Sequence, residues 1–263
     1  YVADVVKDLP TITAEDLKNA QTSYVYDEDG NQIAELHGAE NRTSVSIDQM
    51  PQHLLDALVA SEDIRFYEHH GVDIRAIFRA IKVDLIDSIQ AGELTFTQGA
   101  STITMQLVKN VVDERDKTIP RKIKQAALAL QFEKNYSKED VLYYYLNEIY
   151  LGPQVYGVQA ASKYYFNKDV SEINLQEAAT LIAVLRAPSY YDPYKNPDEV
   201  VRLRNVVLDS MIVYDPDTYG ESALEAKASP LVVDAGTEES HAADYRYPWY
   251  VDTVISECED ILE

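Results

Sequence analysis

A helical spacing of apolar residues runs from Pro51 to about residue 213, and it restricts this chain to a mainly α-helical fold. The stretches that carry the spacing lie at 51–59, 73–92, 121–134, 137–152, 174–188 and 197–212. Two of them open with a capping pattern, Ser137 with Asp140 and Asn174 with Glu177, which favours a helix start at each place. With 263 residues, the chain can bury one large core or two modest ones.

Both ends of the chain differ from this helical part. Residues 23–36, "SYVYDEDGNQIAEL", alternate apolar and polar positions on either side of Asp29-Gly30, which predicts a small β-hairpin. After Asp215 the sequence turns acidic, small-residue-rich and weakly periodic, as a connector is. We therefore predict an N-terminal hairpin and stalk region over 1–50, a principal domain over 51–215 and a linker over 216–263.

The composition excludes several classes of function. A formal net charge of −22 argues against general nucleic-acid binding, which needs a basic surface. The single cysteine, Cys258, excludes an internal disulfide framework and a cysteine-based metal site within one chain. No apolar run approaches the roughly 20 residues that span a bilayer. Because the chain begins at Tyr1, we expect a fragment whose membrane anchor or partner domain lies elsewhere.

The first candidate for chemistry is "ASEDIRFYEHHGVD", residues 60–73. Glu62 and Asp63 stand near Phe66 at the expected end of a helix. A carboxylate in apolar surroundings there could act as a general acid or base. The alternative is a solvated helix end, the more common state of charged residues. His69 and His70 point apart on a helix, which favours packing or surface roles over a shared metal.

The second candidate is "TQGASTITMQLVKN", residues 97–110. Ser101, Thr102 and Thr104 make a hydroxyl-rich entry to a helix, where backbone amides and hydroxyls could hold an anionic group. An ordinary helix cap explains the same residues equally well, because Ser and Thr are preferred caps.

The third candidate is a basic island over residues 109–124. It contains six basic and three acidic residues. The basic residues are Lys109, Arg115, Lys117, Arg121, Lys122 and Lys124. Lysine and arginine grouped in this way suit a phosphate or diphosphate. A solvated loop is the alternative, although basic side chains at a helix N-terminus oppose its dipole.

Taken in order, these segments resemble the glycosyltransferase domain of class A, bifunctional penicillin-binding proteins and the related monofunctional peptidoglycan glycosyltransferases. The matching segments are "EDIRFYEHHG", "GASTITMQLVKN", "RKIKQ", "YSKEDVLYYYLNEIYLG", "GVQAASKYYFNKDVSEINLQEAATLIAVLRAPSYYDP" and "RLRNVVLDSM". Together they cover about 45–215. The resemblance implies a mainly α, lysozyme-like fold in two lobes, with a small N-terminal β-hairpin. It also implies that 216–263 leads toward a transpeptidase domain absent from this chain.

The implied reaction is the polymerisation of lipid II into β-1,4 glycan strands. The growing chain on undecaprenyl diphosphate is the donor, and the displacement inverts the configuration of the sugar. The resemblance places this activity at the extracytoplasmic face of the cell membrane, with a missing anchor. It implies lipid II, the growing glycan strand, the membrane surface and other cell-wall synthesis proteins as partners. Part of 74–96 is the expected membrane-contacting element.

The resemblance also assigns roles to residues. Glu62 matches the catalytic base, while Lys109 and Lys117 match positions that stabilise the diphosphate, with Arg121 and Lys122 nearby. The remaining matches to substrate-binding positions are Asp63, Phe66, His69, Ser101, Thr102, Thr104, Gln106, Asn110 and Asn147. A divalent cation, Mg²⁺ or Mn²⁺, is expected mainly on the substrate diphosphate, without a protein cage.

One departure bears on activity. Gln125 stands where the resembling family carries its second glutamate, and an amide cannot hold negative charge or bind a metal strongly. Two alternatives to an active polymerase therefore stay open. One is a domain that binds lipid II or its diphosphate and turns it over poorly. The other is a lysozyme-like glycan hydrolase, which the basic island disfavours because hydrolysis needs no diphosphate clamp.

Overall fold

The chain is mainly α-helical in a computed structural model that describes residues 9, 12–13, 23–26, 32–36, 41–80, 101–111, 119–153 and 155–234. The α-helices are α1 (Gln52–Glu62), α2 (Ile103–Leu107), α3 (Ile119–Phe132), α4 (Lys138–Glu148), α5 (Val158–Phe166), α6 (Leu175–Leu185), α7 (Pro197–Tyr214), α8 (Pro216–Tyr219) and α9 (Ser222–Ala228). Residues 74–80 are also helical. The predicted fold class is confirmed, while the lysozyme-like division into two lobes stays an expectation.

The strands are β1 (Ser23–Tyr26), β2 (Gln32–Leu36), β3 (Asn41–Arg42), β4 (Tyr150–Gly152) and β5 (Val155–Tyr156). β1 and β2 form the predicted antiparallel hairpin, although the Asp29-Gly30 turn lies outside the described residues. β5 lies between β3 and β4 in a second sheet, and the β3–β5 pair is parallel. Because its strands come from distant parts of the chain, residues 41–42 are attached to the helical domain.

Helices α1, α6 and α7 form the centre of the core. Leu58 of α1, Leu181 of α6 and Val207 of α7 are fully buried, in the hydrophobic cluster that the helical spacing predicts. Both predicted capping boxes are present: Ser137 caps α4 with Asp140, and Asn174 caps α6 with Glu177. Glu62 is therefore the last residue of a helix that is packed into the core.

The part of the predicted linker that the structure describes is helical and packed. α9 contacts α6 and α7, and its Ala223 and Ala226 are buried. The fully buried Arg204 of α7 donates hydrogen bonds to the carbonyl oxygens of Lys227 and Ser229, at the end of α9. Small alanines allow close helix packing but give a weak hydrophobic pattern, which is why the sequence indicated a connector here. The boundary at residue 215 stays a prediction.

Candidate active site

A cleft of about 240 Å³ opens where α1 ends. The C-terminal end of α1, the segment that follows it, the helical residues 74–80 and the entry to α2 surround the opening. Its polar lining includes Ser61, Glu62, Asp63, Asp73, Arg79, Ser101 and Thr102. Two segments that the sequence singled out separately therefore face one another across this cleft.

Glu62 reaches the cleft from the last turn of α1, with 18% of its side chain exposed. Its Oε2 accepts a hydrogen bond from Gln106 Nε2 at 3.1 Å. Arg186 Nε, just beyond the end of α6, lies 3.9 Å from Oε1. Gln106 Oε1 in turn accepts a hydrogen bond from the Tyr145 hydroxyl at 2.9 Å. Glu62 is thus held by a hydrogen bond on one oxygen, while its other oxygen has the longer contact with Arg186, an arrangement that a general base could use.

Asp63, Phe66 and His69 bind the loop after α1 to its surroundings. Both carboxylate oxygens of Asp63 lie 3.0 Å from His69 Nε2, and Oδ2 also accepts a hydrogen bond from the Ile103 backbone N–H. Phe66 is fully buried, with Lys138 Nζ 4.2 Å from its ring centroid. These contacts position the loop and α2, while the substrate-binding roles expected of the three residues stay predictions.

Gly71 and Thr102 complete the junction between this loop and α2. Gly71 has φ +81°, and a β-carbon there would lie 2.5 Å from the Ala129 carbonyl oxygen, so this position requires glycine. The Thr102 hydroxyl donates to the Gly71 carbonyl at 2.6 Å and accepts from the Met105 backbone N–H. Thr102 is therefore a helix cap, as one of the two sequence interpretations proposed.

Thr104 points away from the cleft, toward a buried carboxylate that sequence reasoning missed. Its hydroxyl donates to Glu133, which directly follows α3 and has 3% of its side chain exposed. Lys138 pairs with Glu133 at 2.8 Å while also lying over the Phe66 ring. A glutamate five residues before a lysine is common on protein surfaces, so nothing in the sequence marks this pair as buried.

Lys122 of the basic island contacts a residue that lines the cleft, and Arg121 and Lys109 lie near enough to act on its charge. Lys122 Nζ donates a hydrogen bond to Ser101 Oγ at 2.6 Å. Burial, and then the charges on Arg121 and Lys109, lower the pKa of Lys122, so these cations share one field. Arg115 and Lys117 lie outside the described residues, and the backbone of Asn110 lies in a 3-10 helix, Val108–Val111.

Gln125 and Asn147 are both buried, but they differ in their contacts. Asn147 Oδ1 accepts from the Val45 backbone N–H at 2.9 Å, and its Nδ2 donates to the Val45 and Tyr143 carbonyl oxygens. It joins the segment before α1 to α4, so its observed contacts are structural. Gln125 is 3% exposed on α3. A carboxylate at this place would have to be desolvated or paired.

The described residues contain no group of three or more histidine, cysteine, aspartate or glutamate side chains placed to hold a metal ion. None of the helices in this part of the chain combines the length and the hydrophobicity that a membrane span requires. Ile74 and Phe78, in the segment expected to contact a membrane, are 63% and 68% exposed, and residues 81–100 lie outside the described part.

Comparison with known proteins gives consistent sequence matches. The chain is 37% identical to penicillin-binding protein 1A/1B of Bacillus subtilis over 98% of its length, covering 28% of that protein. It is 42% identical to penicillin-binding protein 1A of Aquifex aeolicus over 77% of its length (27% of that protein), and 40% identical to the Escherichia coli protein of that name over 81% (24%). The chain thus spans about a quarter of the length of these relatives.

A solved penicillin-binding protein 1A from Haemophilus influenzae aligns with 91% of this chain and 24% of its own, at 22% identity and a TM-score of 0.47. The family profile described as "Transglycosylase" matches residues 29–212, which is well over half of the chain. The resemblance read from the motifs is thereby confirmed, and this chain belongs to the transglycosylase family.

Proposed function

We propose that this chain is a peptidoglycan glycosyltransferase that polymerises lipid II into β-1,4 glycan strands. The observation that carries the proposal is a single cleft with a carboxylate that can act as a base on one side and basic side chains on the other. Glu62 lines it from α1, and Ser101, which receives the Lys122 hydrogen bond, lines it from the entry to α2. The family match and the penicillin-binding relatives support the same reaction.

The chemistry needs both sides of the cleft. Glu62 takes the proton from the 4-hydroxyl of the acceptor sugar, and that oxygen bonds to C1 of the donor. The bond from C1 to the diphosphate oxygen breaks, and its electron pair leaves with undecaprenyl diphosphate. Attack from the face opposite the leaving group inverts the α-linkage to β. Lys122, with Lys109 and Arg121, stabilises the negative charge that grows on the leaving group.

Hydrolysis is the less favoured reaction for the same reason. A glycosidase of the lysozyme type places two carboxyl groups about the scissile bond and has no diphosphate to stabilise. The two other carboxylates that line this cleft are already engaged, Asp63 by His69 Nε2 at 3.0 Å and Asp73 by Arg65. The cations beside Ser101 instead fit a substrate with a charged leaving group.

A divalent cation, Mg²⁺ or Mn²⁺, is proposed to bind with the substrate and neutralise diphosphate charge. The described side chains offer no cluster for it, so the diphosphate itself would supply most of the ligands. We also propose that Ile74 and Phe78 lie against the membrane, at its extracytoplasmic face, with the other cell-wall synthesis proteins as partners.

The test is incubation of the chain with labelled lipid II in detergent, with and without Mg²⁺ or Mn²⁺. We expect long glycan strands from the wild-type chain and a loss of at least about 100-fold in Glu62→Gln, because the amide cannot accept the proton. Cleavage of preformed strands would instead identify a hydrolase. If Glu62→Gln kept most of the activity, Glu62 would not be the base.

Gln125 supports a second candidate, a domain that binds lipid II but turns it over poorly. Its neutral amide is buried where the family pattern has a carboxylate. We expect Gln125→Glu to raise the polymerisation rate, with some loss of stability because the new carboxylate is desolvated. An unchanged rate would show that the second carboxylate is dispensable in this chain. Binding of lipid II without product by the wild type would favour the second candidate.

A further inference from the structure

We propose that Tyr145 is a positioning residue for Glu62, acting through the side-chain amide of Gln106. This inference rests on the proposed function, in which Glu62 is the base. It concerns three side chains from three helices that meet behind the cleft. Tyr145 comes from α4, Gln106 from α2, and Glu62 from the end of α1.

The three side chains form a hydrogen-bonded chain with a single direction. The Tyr145 hydroxyl donates to Gln106 Oε1 at 2.9 Å, and Gln106 Nε2 donates to Glu62 Oε2 at 3.1 Å. An ionised carboxylate can only accept, so Gln106 must turn its NH₂ group toward Glu62. Its oxygen then faces Tyr145, whose hydroxyl must donate the hydrogen bond.

The Tyr145 hydroxyl can donate this hydrogen bond under all ordinary conditions. It is 4% exposed, and burial, with the Glu62 charge as a smaller cause, raises the pKa of its hydroxyl well above the ordinary value. The hydroxyl therefore stays protonated and can always donate. A glutamine amide has nearly the same shape when its oxygen and nitrogen exchange places, so it needs such a neighbour to select one orientation.

The wrong orientation of Gln106 would be harmful to catalysis. It would place the amide oxygen against Glu62 Oε2 and leave the carboxylate without a donor on that side. Glu62 would then be free to rotate toward Arg186, whose Nε lies 3.9 Å from Oε1. Because a base must be held within hydrogen-bond reach of its proton, this rotation would slow the reaction without removing any contact to substrate.

A matched pair of buried tyrosines allows a clean test. Tyr145→Phe removes the hydroxyl that orients Gln106. Tyr165→Phe removes another buried hydroxyl, one that donates to the Leu151 carbonyl at 2.7 Å and does not line the cleft. Both variants lose one hydrogen bond and keep the ring, and thermal unfolding checks that both are folded.

Polymerisation of lipid II is then measured for the full chain and both variants. We expect kcat to fall by about 10-fold in Tyr145→Phe with KM changed less than about twofold, since positioning of the base is lost and substrate contacts are kept. Tyr165→Phe should stay within about twofold of wild type. Equal losses in the two variants, or a rise in KM with kcat unchanged, would overturn the proposal.

A double variant tests whether Tyr145 acts through Gln106. If it does, Tyr145→Phe combined with Gln106→Met should be no slower than Gln106→Met alone, whereas independent roles would multiply the two losses. A multiplied loss would show that Tyr145 does not act through Gln106.

A second readout separates this proposal from the proposed function. The side-chain amide signals of Gln106, assigned by their absence in Gln106→Met, should shift in ¹⁵N NMR spectra of Tyr145→Phe and stay in place in Tyr165→Phe. Unchanged signals would overturn the positioning role even where polymerisation is normal. A wild-type chain that makes no polymer would overturn the proposed function, and the NMR signals would still decide whether Tyr145 orients Gln106.

Discussion

Two glutamates on opposite sides of α2 have different surroundings, one at the cleft and the other enclosed in the fold. Glu62 ends α1, and Glu133 directly follows α3. Each accepts a hydrogen bond from α2, Glu62 from Gln106 and Glu133 from Thr104. Both carboxylates are mostly shielded from water, but only Glu62 opens into the cleft.

The two glutamates differ in how closely a basic side chain approaches each carboxylate. Lys138 Nζ pairs with Glu133 at 2.8 Å, so the charge of that carboxylate is compensated and its oxygens are occupied. Arg186 approaches Glu62 only to 3.9 Å, and the near donor is a neutral amide. Because Lys138 and Thr104 occupy its oxygens, Glu133 is not placed to accept a proton from a substrate. Glu62 is oriented by a neutral donor, as the general base that we propose would need to be.

The largest expected effect that separates the two sites is on stability. Glu133→Gln should lower the free energy of unfolding by about 3 kcal/mol, because it leaves Lys138 without its buried partner. We place it at the low end of the range for buried pairs, since 19% of the Lys138 side chain reaches solvent. Urea denaturation followed by circular dichroism measures this loss.

Glu62→Gln is the matched control for that measurement. It should change the free energy of unfolding by less than about 1 kcal/mol, because its amide can still interact with Gln106 and partly faces solvent. Equal stability losses in the two variants would contradict the distinction between a structural and a reactive carboxylate.

A smaller loss of stability is expected when Thr104, the α2 residue that donates to Glu133, is changed. Thr104→Val removes the hydroxyl that donates to Glu133 and preserves the shape of the side chain. Because that bond ends on a charged group, we expect a loss of about 1.5 kcal/mol. In the Glu133→Gln background the same substitution should cost less, and a double-mutant cycle by urea denaturation measures the coupling. Strict additivity would show that Thr104 stabilises α2 by other means.

The smallest expected loss of stability concerns Asp73, a carboxylate that lines the same cleft as Glu62 and pairs with Arg65. Burial acts to raise the pKa of Asp73, but hydrogen bonds from the Ala76 backbone N–H and from Arg65 hold it below its ordinary value of 3.8. A lowered pKa stabilises the fold above the unfolded value, and this contribution is lost as the pH falls through the folded pKa.

We therefore expect Asp73→Asn to cost about 1 kcal/mol at pH 7, with the difference from wild type shrinking as the pH falls below 3.8. Thermal unfolding of both proteins across that range measures it. A difference that stayed constant with pH would mean that the charge of Asp73 contributes nothing to stability.

Much of the local structure was predictable, because it depends on neighbours in the sequence. The capping boxes at Ser137 and Asn174 follow from residues three positions apart, and the helices follow from apolar spacing. The packed helices after Asp215 were not predicted, since Ala223 and Ala226 carry little hydrophobic signal. The pairing of β3 with β5 was also missed, because it joins residues more than a hundred positions apart.

The sequence by itself determined the mainly α fold, the position of Glu62 at a helix end, and the order of motifs that marks the family. Only the tertiary structure decided which polar residues meet. It brought Thr104 into a hydrogen bond with Glu133 and Gln106 into one with Glu62, although the two α2 residues are only two positions apart. It also brought Tyr145 and Lys122 from other helices to this region. Helix spacing is set by local geometry, whereas these contacts depend on how distant helices pack, which a linear pattern does not encode.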